Sequence, residues 1–268
     1  MELKLPGVYP AQKKDKSVYY RASLTFREKH ISLGSYPLAE QASLAYQTAL
    51  ELIHGSSLLE EYTPASPLPF LKWVILINFR ESGLYFSTPI YLKKNYFLYF
   101  LDPVHSLKFD IDDLFYYSSK TIMHRGKHFF VNDYGMQFNI LNRYGIRSYA
   151  VENRDYCFIN GDSYDLRYHN IRIINRFYGV MQMEPKHGSN PLYKAKLHIR
   201  SNYVIGTYTQ ETEAAIAYNK AVDIVKKNGI DRNFPINYIE GLSPAAYADI
   251  YSSLSISEKI FSLTPDNT

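Results

Sequence analysis

The sequence contains a single cysteine, Cys157, among 268 residues. One cysteine excludes an internal disulfide and any zinc site built from several cysteines, and it fits a reducing compartment. Long apolar runs are also lacking, since the longest, Phe70 to Phe79, is interrupted by Lys72 and is too short to span a bilayer. The first residues, Met1 to Lys4, contain no apolar signal-peptide core. We therefore expect a cytoplasmic protein that does not associate with membranes.

A strong excess of one charge is absent as well, because 30 Lys and Arg stand against 26 Asp and Glu. A net charge of +4 does not by itself indicate a nucleic-acid ligand. The glycine-rich phosphate loops, the nucleophile elbow and the His-Glu-x-x-His zinc motif are all missing. Aromatic residues, by contrast, are abundant, with 26 Tyr and 15 Phe. Tyrosines bury well and keep a hydroxyl at a wet surface, so the composition indicates a folded protein.

Two stretches of the chain carry the same sequence pattern 172 positions apart, as Val8 and Val180 or Gly34 and Gly206 illustrate. Each stretch contains Gly-Val, then Tyr-x-Ala-x-Leu, then Leu or Ile followed by Gly-x-Tyr, and finally Ala-x-x-Ala-Tyr-x-x-Ala. The register changes by one residue only in turns, which tolerate such changes. The chain therefore contains two copies of one small module with a different segment between them.

Within each copy, the periodicity predicts a small sheet followed by a helix. Apolar and polar residues alternate from Tyr20 to Arg27 and from Tyr193 to Arg200, which is typical of a half-buried antiparallel strand. Another strand is predicted at His30–Leu33 and at Tyr203–Ile205, and a shorter strand precedes both. The alanines and tyrosine that follow recur at i, i+3, i+4 and i+7, as on one face of a helix. We predict an α+β protein in which each module is a three-stranded antiparallel sheet backed by one helix.

The sheet face turned away from the helix is polar in both copies. Alternation places four residues on it in the first copy: Arg21, Ser23, Thr25 and Arg27. It places four on it in the second copy: Lys194, Lys196, His198 and Arg200. An ordinary solvated face explains such a set for one small sheet. The absence of acids from the second set, and the occurrence of the arrangement twice, favour the alternative of a sheet laid in the DNA major groove.

The repeated pattern resembles the AP2/ERF DNA-binding domain. The second copy resembles it more fully, with Glu211, Glu213 and the ending Asn233-Phe234-Pro235, which the first copy lacks. The resemblance covers roughly half of the chain and implies that a three-stranded sheet reads bases in the major groove. Carried over by position, it implicates Tyr9, Arg21, Ser23, Thr25, His30 and Ser32 in the first copy. In the second copy it implicates Met181, Lys194, Lys196, His198, Asn202 and Val204.

The chain departs from this family in the first strand of each sheet. Tyr9 and Ala11 in one copy, and Met181 and Met183 in the other, stand where the family has arginines. The bases read must therefore differ from those that the family reads. We expect the first strand either to contact thymine methyl groups or only to pack.

The segment between the copies follows a linker of stiff composition at residues 63–69. Its stretch from Cys157 to Arg172 resembles the core of an HNH endonuclease, a segment commonly joined to AP2-like domains in homing-endonuclease-like proteins. HNH chemistry needs a His base and ligands for a divalent metal. Phe158 stands at the position of that base, Cys157 at that of an Asp ligand and Leu166 at that of an Asn. We therefore expect a degenerate domain with no catalytic residue, no metal and no other cofactor.

Other polar groups in this segment have structural explanations that we favour over metal sites. His124 and His128 flank Gly126, which favours a turn into a strand over a zinc site. The aspartates of residues 110–113 open a predicted helix from Ile111 to Tyr117, where carboxylates serve as caps and dipole partners.

Each of two further segments has two alternative interpretations. Asn142–Arg147 is either a helix end capped by Gly145, which we favour, or a segment that contacts a nucleic-acid backbone. Ser243-Pro244 predicts the start of a C-terminal helix over Ala245–Leu254. This helix either packs on the second module or serves in dimerisation.

The predicted domains are an AP2-like domain at 1–62, a linker at 63–69, a degenerate HNH-like domain at 70–175, a second AP2-like domain at 176–240 and a C-terminal helix and tail at 241–268. We expect a sequence-specific double-stranded DNA-binding protein without enzymatic activity, a bacterial or phage-borne transcriptional regulator associated with the nucleoid. One alternative is a divergent HNH-type endonuclease that recruits His124, His128 or His169. Another is a protein-interaction module in which the sheets bind another protein and the Tyr-rich middle segment forms a homodimer.

Overall fold

The computed structural model describes residues 5–185 and 190–267. This part of the chain combines small antiparallel sheets with helices, which confirms the predicted α+β class. None of the helices within it has the length and apolar character that a membrane span requires.

The first module consists of β1 (Val8–Gln12), β2 (Val18–Phe26), β3 (Lys29–Tyr36) and α1 (Ala39–His54), and its sheet has the order β1-β2-β3. Strands β2 and β3 are joined by Arg27 and Glu28, whose φ angles of 45° and 64° are both positive. Two such residues form the tight turn that matches the twist of a hairpin. Ala22 pairs with Gly34 and Ser23 with Ser32, so β3 contains a bulge at Leu33.

Alternation along the strands builds the core of the first module. Leu24, Ile31 and Leu33 point to one side of the sheet and are at most 4% exposed. Ala42, Ala45 and Ala49 of α1 meet them and are fully buried. Because alanine side chains are small, the helix lies close on the sheet, as the sequence pattern predicts.

Between the first module and residue 139 the chain forms one long α-helix, one short α-helix, two 3₁₀-helices and two further sheets. The elements are α2 (Phe70–Ser82), β4 (Ile90–Leu92), β5 (Tyr96–Phe100), β6 (Ser106–Asp110), α3 (Leu114–Tyr117), β7 (Ile122–Arg125), β8 (His128–Asp133) and β9 (Met136–Asn139). The sheets have the orders β4-β5-β6 and β7-β8-β9. The apolar run at Phe70–Phe79 is the buried helix α2, and its Trp73, Leu76 and Ile77 belong to the same core as α1.

The second module repeats the first. After a two-stranded sheet of β10 (Tyr156–Phe158) and β11 (Ile171–Ile173), the chain forms β12 (Val180–Met183), β13 (Leu192–His198), β14 (Asn202–Tyr208) and α4 (Glu211–Lys227). Ala195 pairs with Gly206 and Lys196 with Val204, so β14 contains a bulge at Ile205. This is the position equivalent to Leu33 in β3, and the two sheets therefore share their register.

The C-terminal segment forms α5 (Pro244–Ser253) and α6 (Glu258–Phe261). The Ser243 hydroxyl caps α5 by accepting a hydrogen bond from the Ala246 amide at 3.2 Å, as its sequence predicts. Ile260 and Leu263 are buried in the core of the second module, and α5 packs against that core. The predicted packing of this segment on the second module is thus confirmed.

The chain divides into two compact units, each of which contains one copy of the repeat. Unit 1 comprises residues up to Phe138 together with Asp162–Asn170, and unit 2 comprises Asn139–Gly161 and the residues from Ile171 onward. Residues 162–170 join unit 1 because this segment bonds to β6: the Lys108 amide donates to Tyr164 O and the Leu166 amide to Lys108 O, both at 2.8 Å. The predicted central domain at 70–175 therefore contributes residues to both units.

Candidate nucleic-acid interface

The open face of the first sheet is defined by its cross-strand pairing. Tyr9 of β1 lies opposite Arg21 of β2, which in turn lies opposite Ser35 of β3. Further along the sheet, Ser23 is paired with Ser32 and Thr25 with His30. Since paired residues project to the same side of a sheet, these seven side chains share the face opposite α1.

The second sheet presents seven side chains in the same arrangement. Met181 lies opposite Lys194, which lies opposite Thr207, and the next pairs are Lys196 with Val204 and His198 with Asn202. Position by position, Lys194 takes the place of Arg21, Lys196 that of Ser23 and His198 that of Thr25. Apart from Arg27 and Arg200, the predicted residues of each copy are thus brought together on one side of their sheet.

These two surfaces, here called the open faces, differ from an average protein surface in their charge. The seven positions of each carry no carboxylate. The first open face has Arg21 and His30, and the second has Lys194, Lys196 and His198. An array of donors without competing acids suits a polyanionic ligand.

A glycine and a tyrosine hold the first strand of each sheet against the helix behind it. Gly7 and Gly179 have φ angles of 70° and 67°, a conformation that favours glycine. Each lies against the ring of a helix tyrosine, Tyr46 or Tyr218, so closely that a Cβ atom would overlap the ring. Burial raises the pKa of Tyr218 to about 12. The carbonyl oxygens of Gly7 and Gly179 accept hydrogen bonds from the amides of Ser23 and Lys196, at 3.0 and 2.7 Å.

A second tyrosine anchors the end of each sheet. The Tyr36 hydroxyl donates to Pro67 O at 3.2 Å, and the Tyr208 hydroxyl donates to Ser255 O at 2.9 Å. Burial and the nearby Glu213 carboxylate raise the pKa of Tyr208 to about 12, so this hydroxyl remains a donor at neutral pH. Both modules thus fix their third strand to the segment that follows their helix.

Neighbouring side chains orient two of the predicted contact residues. The guanidinium of Arg21 donates to the hydroxyl of Tyr19, with Nη2 at 2.7 Å. On the second open face, His198 Nδ1 lies 3.2 Å from the amide oxygen of Asn202 across the hairpin. Both contacts reduce the number of rotamers that these side chains sample.

Arg27 does not lie on the open face, so that part of the prediction is wrong. Strand β2 ends at Phe26, and the positive φ of Arg27 turns its side chain out of the alternation. Its guanidinium donates to the carbonyl oxygens of Phe79 and Arg80 at 3.2 and 3.5 Å, at the end of α2. The Phe79 carbonyl oxygen also accepts from the Gly83 amide at 3.1 Å, and both carbonyls belong to the last turn of α2, where a cation is stabilising.

Ser23 and Arg200 also differ from the prediction. Ser23 is on the predicted side of the sheet but is only 8% exposed, because it is a small residue on the central strand beside the bulge. Arg200 is exposed but lies in the turn after β13, which ends at His198. Neither residue occupies an exposed strand position.

The first strands contribute the apolar part of the open faces. Tyr9 is 55% exposed, and Met181 is half-buried. Val204, on the third strand of the second sheet, is 47% exposed. Both roles expected for the first strand, contact with thymine methyl groups or packing alone, stay predictions.

The sequence pattern did not identify two residues of the open faces, Ser35 and Thr207. Both are exposed and lie opposite the leading cation of their sheet, Arg21 or Lys194. The signal that could have found them is the repeat itself, because they are the variable residue of the Gly-x-Tyr segment. Tyr19, which holds Arg21, was missed as well.

The HNH-like stretch is divided between the two units. In unit 2, β10 and β11 pair antiparallel with Cys157 opposite Arg172, and Phe158 is 8% exposed and packs edge-on against Tyr156. In unit 1, Arg167 donates two hydrogen bonds to the buried carboxylate of Asp165, at 2.8 and 2.6 Å. Burial acts to raise the pKa of Asp165, but the hydrogen bonds from Arg167 and the charges of Arg167 and Lys108 together outweigh it and the pKa is lowered. Across residues 5–185 and 190–267, no three His, Cys, Asp or Glu residues form a group that could hold a metal ion.

The segment Asn142–Arg147 has the structure that we favoured. A short 3₁₀-helix, Ile140–Tyr144, ends at Gly145, whose φ is 76°. Arg147 lies over the Tyr178 ring and forms a 2.8 Å ion pair with Asp155, which is 2% exposed. The carboxylate of Asp155 also accepts from Arg154 and from the Val151 amide, so the segment serves packing within unit 2.

The histidines of unit 1 follow the favoured explanation, whereas Asp110 and Asp113 make no side-chain cap hydrogen bond, so the predicted capping role is wrong for these two aspartates. A turn at Gly126 joins β7 to β8, and the His124 ring stacks on Phe129 at 4.9 Å. Residues 111–117 are helical, but Asp110 does not cap them; its carboxylate accepts from the Tyr168 amide at 2.7 Å.

Comparison of the chain with protein-family models, with curated proteins and with solved structures finds no match. The likeness to AP2/ERF and HNH segments rests on the residues named above and stays a prediction.

Proposed function

We propose that the protein binds double-stranded DNA by placing the open faces of its two sheets in the major groove. The observation that carries this proposal is the duplication of the open face. Two sheets with the same register and the same bulge present a cation at one equivalent position, Arg21 in the first and Lys194 in the second, and neither face carries a carboxylate. A solvated face that had no ligand would not need to keep acids out of both copies.

The open faces suit a duplex in shape and in chemistry. A major groove about 12 Å wide admits a small sheet, and side chains that alternate along a strand reach base edges. Arg21, Lys194 and Lys196 can donate to guanine or to phosphate oxygens, and Asn202 can pair with adenine. The second open face carries three cationic or titratable groups against two on the first, so we expect it to dominate the affinity.

Two modules on one chain also support sequence choice. When both bind neighbouring half-sites, the second binding event becomes intramolecular and raises the affinity by a factor on the order of 10² to 10⁴. Such a bipartite reader fits transcription regulation, which is the biological role that we propose.

The test is selection from a random-sequence duplex pool at two salt concentrations, followed by sequencing. We expect a bipartite motif whose enrichment is lost in a double variant, Lys194→Ala with Lys196→Ala. The matched control is Lys227→Ala, which removes a lysine of the same module from the last turn of α4, behind the sheet. Absence of enrichment at both salts, or equal enrichment with the double variant, would refute the proposal.

A nicking assay separates binding from hydrolysis. Supercoiled plasmid is incubated with the protein and magnesium or manganese, and we expect no conversion to the open circle. Conversion that a chelator abolishes would instead support the divergent-endonuclease alternative. Loss of all duplex binding with retention of a protein partner would support the interaction-module alternative.

A further inference from the structure

Unit 1 contains a cavity that the proposed DNA interface does not use. Its volume is about 540 Å³, which lies within the range of pockets that hold small organic ligands. Part of its wall is apolar, with Leu71, Ile75 and Ile122 among the lining residues. The ionisable groups of the wall include one lysine, one aspartate and two histidines: Lys72, Asp102, His105 and His124.

The two charged groups of this wall differ in their partners. Asp102 is hydrogen-bonded within the protein, because it lies 2.8 Å from His105 Nδ1 and accepts from the amides of Val104 and His105. Desolvation acts to raise the pKa of Asp102, but these hydrogen bonds outweigh it and lower the pKa. Its carboxylate oxygens therefore already have donors.

Lys72 has no such hydrogen-bonding partners. In residues 5–185 and 190–267, no hydrogen-bond acceptor or ion-pair partner contacts its ammonium group. The first turn of α2, where it lies, contains no acidic residue. Burial lowers the pKa of Lys72, which reflects the cost of holding the charge beside apolar atoms.

The two histidines are held by ring stacking. His105 stacks on Tyr164 at 5.7 Å between ring centroids, and His124 stacks on Phe129 at 4.9 Å. Because His105 directs Nδ1 at Asp102, its Nε2 is the nitrogen left for a ligand. The cavity thus has an apolar wall, a lysine with no acceptor among the described residues and an imidazole nitrogen.

We propose that this cavity binds a small organic anion with an apolar body, such as an aromatic or aliphatic carboxylate, whose carboxylate pairs with Lys72. The carboxylate supplies the acceptor that Lys72 lacks, and the body of the ligand covers Leu71, Ile75 and Ile122. This proposal goes beyond DNA binding and does not depend on it.

The experiment titrates the full chain with 2-naphthoate and with its neutral isostere 2-naphthamide, followed by ligand-observed NMR. The variant Lys72→Met keeps the apolar stem and removes the charge, Lys72→Arg restores a cation, and Lys94→Met is the control at an exposed lysine of the same unit. Thermal unfolding of each variant checks that the fold is retained.

We expect saturable binding of 2-naphthoate that is about tenfold or more weaker for 2-naphthamide and for Lys72→Met, since a charge-assisted bond is lost. Lys72→Arg and Lys94→Met should bind within a few-fold of the parent protein. Equal binding of the two probes, unchanged binding by Lys72→Met, or no saturable binding up to about 1 mM would each overturn the proposal.

Discussion

Gly179 lies against the ring of Tyr218 with no space for a side chain between them. The same relationship joins Gly7 to Tyr46 in the first module, 172 positions earlier. In both modules this contact holds the first strand to the helix and positions a carbonyl oxygen for the amide of the central strand. The repeat is therefore conserved in its packing as well as in its sequence pattern.

Replacing Gly179 with alanine should destabilise the second module. The new Cβ would overlap the ring of Tyr218, and a φ of +67° is unfavourable for alanine. We expect the free energy of unfolding to fall by about 2–4 kcal/mol in urea titrations. The control is Gly241→Ala, which has a φ of +77° but open space around it and should cost only about 1–2 kcal/mol. Equal costs for the two variants would contradict the packing argument.

Arg27→Ala separates a structural arginine from a DNA-contacting one. The guanidinium of Arg27 bonds to the last carbonyls of α2 and lies 4.9 Å from the Phe26 ring centroid. We expect a loss of about 1–2 kcal/mol in the free energy of unfolding, with duplex affinity unchanged at a temperature where the variant is folded. Arg21→Ala should show the reverse pattern. If Arg27→Ala lowered the duplex affinity strongly without destabilising the fold, Arg27 would belong to the proposed DNA interface after all.

The buried carboxylate of Asp155 should make stability depend on pH in the acid range. Burial acts to raise the pKa of Asp155, but hydrogen bonds from Arg154 and Val151 and the charge of Arg147 lower it below its usual value. Because the folded protein then binds fewer protons than the unfolded chain, stability is complete above about pH 4 and is lost as pH falls through the folded pKa.

We therefore expect Asp155→Asn to lower the free energy of unfolding at pH 7 by about 3–5 kcal/mol, since Arg147 is left buried without its partner. The difference from the parent protein should shrink when urea titrations are repeated below about pH 4. Asp249→Asn, at an exposed position of α5, serves as the control and should change neither quantity. A difference that stays constant with pH would contradict the ion-pair argument.

The salt dependence of duplex affinity should report the phosphate contacts of the second open face. Each lysine that neutralises a phosphate contributes about 0.9 to the slope of log affinity against log salt. Lys194→Ala and Lys196→Ala should each reduce that slope by about 0.9 if the lysine contacts phosphate, as fluorescence anisotropy at several salt concentrations would measure. Lys227→Ala should leave it unchanged. An unchanged slope with altered sequence preference would instead assign that lysine to a base edge.

The sequence carries enough information to predict the two modules but not every residue of their faces. The alternation around Ala22 and Ala195 and the helical spacing of the alanines determine which side is buried, and the structure follows both. Arg27 was misplaced because alternation holds only while φ stays extended, and a left-handed turn at an ordinary residue leaves no mark in the pattern.

The sequence pattern also does not predict how the middle segment is divided between the two units. Residues 162–170 belong to unit 1 because their backbone bonds to Lys108, more than fifty positions earlier. Such a pairing depends on main-chain groups. Because every residue has them, no side-chain pattern predicts it. The sequence likewise does not show that Asp102 bonds to His105 and leaves Lys72 without an acceptor among the described residues.

The bulges at Leu33 and Ile205 have a consequence for engineering. Because each bulge interrupts its sheet at the same place, every outward side chain of one sheet has a counterpart in the other, while the buried residues stay separate. In the proposed DNA-binding role, ligand preference would therefore depend on residues other than those of the cores. Grafting Lys194 and His198 onto the exposed positions 21 and 25 would bring the charge of the first open face closer to that of the second, whereas position 23 is only 8% exposed and leaves little space for a lysine.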